Sequence, residues 1–206
     1  KYNVKNKKDF YEQIDQYCTL FYVRFEGLVR KSNESYLSVS KAIRQKHVVV
    51  NNGRVESAEM VETWMTDVDF RIMMMSYDID DFKIGAMYRY KRGYLPTPFA
   101  ESIVKLYEDK TVLKGVEGME VEYNKSKGML NSTYGMSVMD VVQEEFKWNP
   151  MDNMMVKTET KTVVEKIDKE NESRNRFLYY PWGVWITAYA RYDLFRAINK
   201  LGSDYI

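Results

Sequence analysis

Asn51-Asn52-Gly53 constrains this chain more than any other short stretch. Asparagine and glycine enter the left-handed backbone region at low cost, so the triplet is a tight-turn signal. It joins Val48-Val49-Val50 to a second run from Val55 to Trp64, and the pair predicts a β-hairpin. Residues 18–30, CTLFYVRFEGLVR, are rich in aromatic and β-branched side chains and predict a strand. Residues 36–50 carry the same character more weakly, and Phe82 to Tyr90 predicts a further strand. Between them, Thr66 can cap a helix, with Asp69 at the capping-box position usually held by Glu; a short helix to Tyr77 is expected. Residues 1–8 carry four lysines and little to bury, and predict a solvated lead-in.

The period then changes. After Pro96-Thr97-Pro98, Phe99, Ile103, Leu106, Tyr107 and Lys110 recur at three- and four-residue steps, which predicts a helix over 99–114. Gly115 and Gly118 interrupt it, and a second helix is expected over 119–134, ending at Gly135. Two adjacent antiparallel helices, with Lys110 and Lys127 opening to one side, are the simplest geometry. Farther on, Val156, Thr158, Thr160, Thr162 and Val164 alternate with Lys157, Glu159, Lys161 and Val163, so a strand with one charged face is expected. Residues 165–176 are dense in both charges and predict an exposed turn, with Phe177 to Tyr180 returning as partner strand. Pro181 opens a last helix, Trp182, Trp185, Tyr189, Tyr192, Phe195 and Ile198 mark one face of it, and Gly202 ends it. The fold class is therefore α+β. The expected divisions are strands with one short helix in 1–95, paired helices in 96–135, a hairpin region in 136–180, and a helix leading into a strand in 181–206.

Composition narrows the function. At 206 residues the chain is one domain or a compact pair of subdomains. Its 31 basic and 30 acidic side chains nearly cancel, so any nucleic-acid surface must be local. Cys18 and His47 are the only residues of their types; no internal disulfide and no usual structural zinc site can be built from them. No apolar run approaches the ~20 residues a bilayer span needs. Asp67 and Asp69 suit helix capping better than metal binding, and Asp78, Asp80 and Asp81 suit a turn. Arg89, Lys91 and Arg92, interleaved with Tyr88, Tyr90 and Tyr94, form the best local basic-aromatic patch and a candidate DNA contact.

The stretch that carries chemistry is residues 125–135, KSKGMLNSTYG. At about 100° per helical residue, Asn131 and Tyr134 both fall within about 40° of Lys127. One face thus offers a cation for phosphate, an amide for a sugar or base edge, and a ring for a flat surface. Gly135 removes a side chain where something flat could approach closely. By spacing alone the same set also fits an ordinary amphipathic helix with an exposed lysine, a core tyrosine and a glycine cap.

Lys127-Gly-Met-Leu-Asn131-Ser132-Thr-Tyr134-Gly135 resembles the K-x-x-x-N-S-x-Y-G signature in the fingers of family B DNA polymerases. Residues 182–192, WGVWITAYARY, are similar to the G-V-x-I-T-A-x-A-R palm helix of the protein-primed phage branch. Trp64-Met-Thr-Asp67-Val68-Asp69-Phe70 resembles that branch's W-L-x-x-V-D-L segment, and Tyr107-x-x-Lys110-Thr111 its first fingers helix. The resemblance implies template-directed addition of deoxynucleotides to a primer 3′ end, with primer-template DNA, deoxynucleoside triphosphates and a terminal protein primer as partners. Lys127 and Lys110 would meet the triphosphate, and Asn131 and Tyr134 would lie under the nascent base pair. The family's two Mg²⁺-binding aspartates stand in D-x-x-S-L-Y-P and Y-x-D-T-D-S motifs, neither of which occurs here. The chain is therefore expected to be a fragment, inactive alone, of an enzyme working in a host cytoplasm. A non-catalytic module gripping nucleic acid or protein through residues 156–180 and the loop near residue 90 is the alternative.

Overall fold

A computed structural model describes residues 1–142, 144–158, 161–173 and 179–202. They form two compact units: Lys1–Leu95 with the chain from Trp185 onward, and Pro96–Val184.

The first unit begins with α1 (Lys7–Gln16) and then alternates β1 (Tyr17–Arg30), β2 (Arg44–Asn51), β3 (Arg54–Thr66), α2 (Asp67–Ser76) and β4 (Tyr77–Lys91). The strands make one sheet in the order β2-β3-β1-β4, with every neighbouring pair antiparallel. Asn51 pairs with Arg54, so the hairpin loop is Asn52-Gly53, with φ of 46° and 72°. That is the loop the sequence dictates, because both central positions need left-handed backbone. Thr66 Oγ1 accepts from the Asp69 N–H at 3.0 Å, and the Thr66 N–H donates to Asp69 Oδ2 at 3.5 Å, completing the expected capping box.

One face of the sheet is covered by α1 and α2. Phe21, Val23, Phe25 and Leu28 alternate inward along β1 and meet Phe10, Phe70, Ile72 and Met73, all within 1% of full burial. Phe10, Phe21 and Phe70 meet edge to face at 5.0–5.8 Å. Gly27 breaks the alternation at φ +63°; a Cβ there would lie 1.9 Å from Asp80 Oδ2.

The first eight residues are more structured than their lysines suggest. Tyr2 pairs with Met87 as an isolated bridge, and α1 starts at Lys7. Asn6 caps it by accepting from the Asp9 N–H at 2.9 Å. The signal was present in Phe10, Gln13 and Ile14, a buried i, i+3, i+4 set that the flanking charge concealed.

The second unit contains α3 (Thr97–Val112), α4 (Glu120–Ser137), β5 (Glu145–Asn149), β6 (Met154–Thr158), α5 (Val163–Glu172) and the first turn of α6 (Tyr180–Leu201). Helices α3 and α4 pack against each other. α4 does not stop at Gly135; the glycine is inside it. A Cβ at Gly183 would stand 1.9 Å from Val138 Cγ1, so only glycine lets α6 begin against the end of α4.

Residues 136–180 differ from expectation. The strand within 156–164 is short and pairs upstream, Phe146 with Lys157 and Trp148 with Met155, not with 177–180. Phe177 and Leu178 lie outside the described residues, as do Glu159, Thr160 and 203–206; Tyr180 is helical. Residues 163–172 are helix α5, not a turn, because Thr162 and Glu165 form a second capping box. No residue of α5 is fully buried, and Lys166 pairs with Glu145 of β5 at 3.6 Å. Gly202 closes α6 at φ +82°, with its N–H on the Ile198 carbonyl at 3.0 Å.

Candidate functional site

α4 presents the face that the sequence singled out. Ser126 and Ser137 are its buried residues, and at about 100° per residue they share one side. Lys127 and Asn131 lie roughly 80–140° away by the same helical rotation, and both are exposed. Tyr134 keeps 39% of its surface, so it is not a core tyrosine. A Cβ at Gly128 or Gly135 would meet nothing within 4 Å. Nothing among the described residues requires a glycine there, although each costs a helix up to about 1 kcal/mol relative to alanine.

Lys127 Nζ lies 5.7 Å from the centre of the Tyr123 ring. Lys110 is half-buried in the last turn of α3, with Nζ 5.8 Å from the Tyr107 ring. A cation in that turn also faces the negative end of its own helix. Lys114 and Lys125 are exposed, as is Ser132 inside α4.

In the patch near residue 90, two of the three cations have partners within the fold. Arg89 donates to Gln13 Oε1 at 2.6 Å and lies over the Tyr2 and Tyr17 rings. Arg92 donates to the Ile14 and Tyr17 carbonyls at 2.8 and 3.3 Å and pairs with Asp67 at 3.5 Å. Arg92 thereby serves carbonyls at the end of α1, which lack helical partners, while Arg89 holds the Gln13 side chain. Lys91 and Arg89 are exposed and have no ion pair among the described residues, and the Lys91 side chain has no hydrogen bond there either.

Asp67 and Asp69 hold α6 to α2 within the first unit. Asp67 Oδ1 accepts from the Thr19 N–H at 3.1 Å and from Trp185 Nε1–H at 2.9 Å. Asp69 Oδ1 accepts from the Tyr36 hydroxyl at 2.6 Å and from Arg191 Nε and Nη2 at 3.0 and 2.8 Å. Burial, reinforced by the Asp69 charge, pushes the Tyr36 hydroxyl up. Arg191 is thus an internal ion pair, and the aromatic stripe of α6 is core where Trp185, Tyr192 and Phe195 meet the first unit. The other aspartates are dispersed: Asp81 pairs with Lys7 at 2.5 Å and Asp78 with Lys31 at 3.7 Å. His47 is exposed on β2 and pairs with Glu59.

Burial pushes the Asp67 carboxyl up, against the pull of Thr19, Trp185 and Arg92. A carboxyl raised in the folded state adds stability when protonated, and loses it as pH rises from the ordinary aspartate range through the raised value. Wild type should therefore lose stability relative to Asp67→Asn across that window. Asparagine keeps an acceptor for Thr19 and Trp185 without the buried charge. Urea unfolding of both proteins from about pH 3.5 to 7 checks this; a pH-independent difference contradicts it.

No protein-family model and no curated protein matches the chain. Three solved structures that it resembles are of a DNA polymerase. Phi29 DNA polymerase with primer-template DNA, in its post-translocation binary complex, matches with a TM-score of 0.61 and 22% identity over 90% of this chain. The ternary complex with incoming nucleotide matches at 0.63 and 23% over 91%, and the orthorhombic form at 0.58 and 21% over 97%. The likeness is one of fold, and the chain spans 29–31% of the length of those polymerase chains. No described helix is long and apolar enough to cross a membrane.

Proposed function

We propose that this chain is part of a family B DNA polymerase of the protein-primed phage branch, and that the exposed face of α4 receives the incoming deoxynucleoside triphosphate. The observation that carries the reading is the exposed row Lys127, Asn131 and Tyr134, beside two helical glycines that face open space. The fold likeness to a polymerase solved with primer-template DNA and nucleotide supports it.

Lys127 meets the triphosphate as a point charge, and Lys110 adds a second cation from the facing helix. Asn131 offers its amide to the sugar or base edge, while the Tyr134 ring and bare Gly135 make a floor under the nascent base pair. This part of the protein positions the nucleotide and neutralises its charge, which is most of what a protein contributes to phosphoryl transfer. The reading also places a terminal protein among the partners and the enzyme in a host cytoplasm.

The parent reaction uses Mg²⁺. Among the described residues no three of His, Cys, Asp and Glu converge. Asp67 and Asp69 are already saturated by protein donors. The described residues do not fit the ion.

The alternative, a binding module, draws on the hairpin β5–β6, where Phe146, Trp148 and Met155 share an exposed face. Gly135→Ala separates the two readings. A methyl there meets open space, so it should stabilise the isolated chain by up to about 1 kcal/mol. On the proposed floor it intrudes on the base pair, and nucleotide incorporation by the polymerase should fall at least tenfold. Unchanged incorporation with a stabilised helix favours the binding module.

A further inference from the structure

Both lysines placed on the triphosphate stand over an aromatic ring of their own helix. Tyr123 precedes Lys127 by four residues and Tyr107 precedes Lys110 by three, yet the ammonium-to-ring distances are 5.7 and 5.8 Å. Within about 6 Å a ring face attracts a cation. Neither lysine has a carboxylate partner among the described residues. The distinction matters because a carboxylate would hold the side chain but neutralise it, and phosphate would have to displace the carboxylate. A ring restricts the flexible four-carbon stem, whose ordering otherwise weighs against binding, and leaves the full charge available.

Resting on the nucleotide reading above, we propose that Tyr123 is a positioning residue for Lys127, and Tyr107 for Lys110, each holding an ammonium ion charged and preoriented for phosphate. Neither tyrosine touches the nucleotide in this account; each acts through its lysine.

The test is titration of this chain with dTTP, read from amide shifts along α4, with circular dichroism confirming the fold of each variant. Tyr123→Leu should weaken binding about threefold, the scale of one exposed cation–ring contact. Tyr123→Phe, which keeps the ring, should bind as wild type does. Adding Tyr123→Leu to Lys127→Ala should change nothing further, since coupled residues are not additive. An equal loss in the Lys127→Ala background, or a Tyr123→Phe as weak as Tyr123→Leu, overturns the inference alone. Binding unaffected by Lys127→Ala overturns the nucleotide reading and the inference together. Should Tyr123→Leu disturb α4, Tyr107→Leu with Lys110→Ala supplies the same cycle on α3, and additive losses there overturn the inference equally.

Discussion

Lys127→Ala should raise the nucleotide KM of a polymerase carrying this chain by about 10- to 100-fold. One charged hydrogen bond is worth ~1.5–3 kcal/mol, and each 1.4 kcal/mol is a factor of ten. The side chain is exposed and has no ion pair among the described residues, so its removal leaves no buried partner orphaned and should spare the fold. A smaller loss in kcat follows if the ammonium also meets charge that develops during transfer. Lys110→Ala should cost less, because that lysine is half-buried beside its own helix end. Tyr134→Ala should differ in kind: it removes a surface and no charge, so base discrimination should fall more than salt sensitivity. Steady-state incorporation with correct and incorrect nucleotides, at two salt concentrations, separates the three.

Asp69→Ala should destabilise the chain by about 1.5–3 kcal/mol, the scale of hydrogen bonds to a charged group, in an ion pair whose arginine keeps 32% of its side-chain surface. Asp69 is only 6% exposed and serves Tyr36, Arg191 and Thr66 at once. Its loss strands the Arg191 guanidinium and undoes the α2 cap, itself worth ~1 kcal/mol. Asp69→Asn keeps an acceptor and should cost visibly less. Arg191→Ala should also destabilise, leaving a carboxylate behind. Urea unfolding of all four proteins checks the ordering. A stable Arg191→Ala that merely loses affinity for DNA would contradict the ion-pair role.

The parts of this structure that local chemistry dictates were legible in the sequence. Asn52-Gly53 permits hardly any loop but the one formed, and Thr66 with Asp69 satisfies two orphan amides before any tertiary contact exists. The first helix of 97–137 follows from its three- and four-residue apolar steps, and the second from the Gly115 and Gly118 break that precedes it. What escaped depends on distant partners or on signals masked by charge. α1 is helical because Phe10 and Ile14 find the sheet, yet its lysines suggest a tail. Thr162 and Glu165 promise a helix as clearly as Thr66 and Asp69 do, but the charge of 165–172 obscures it. Glu145 to Asn149 alternates polar and apolar as a strand does, but the stretch is only five residues long and its partner, Met154 to Thr158, follows at once, so the pairing is easy to overlook.

The site shows the same division. Spacing alone places Lys127, Asn131 and Tyr134 on one face of a helix; that the face is exposed depends on which side α4 turns inward, with Ser126 and Ser137. The internal partners of Arg89 and Arg92 could not be read from the sequence, because Gln13, Ile14 and Tyr17 lie more than seventy residues away.

The central claim, that the exposed face of α4 receives a nucleotide, is tested most directly by a dTTP titration of the isotope-labelled chain, followed residue by residue by NMR. Two or three charge-assisted contacts on an open helix support roughly millimolar affinity. The account predicts shifts that saturate in that range and cluster at Lys127, Asn131, Tyr134 and Gly135, with a weaker set around Lys110. Shifts confined to the hairpin at 145–158, or none along α4 at millimolar nucleotide, would contradict it.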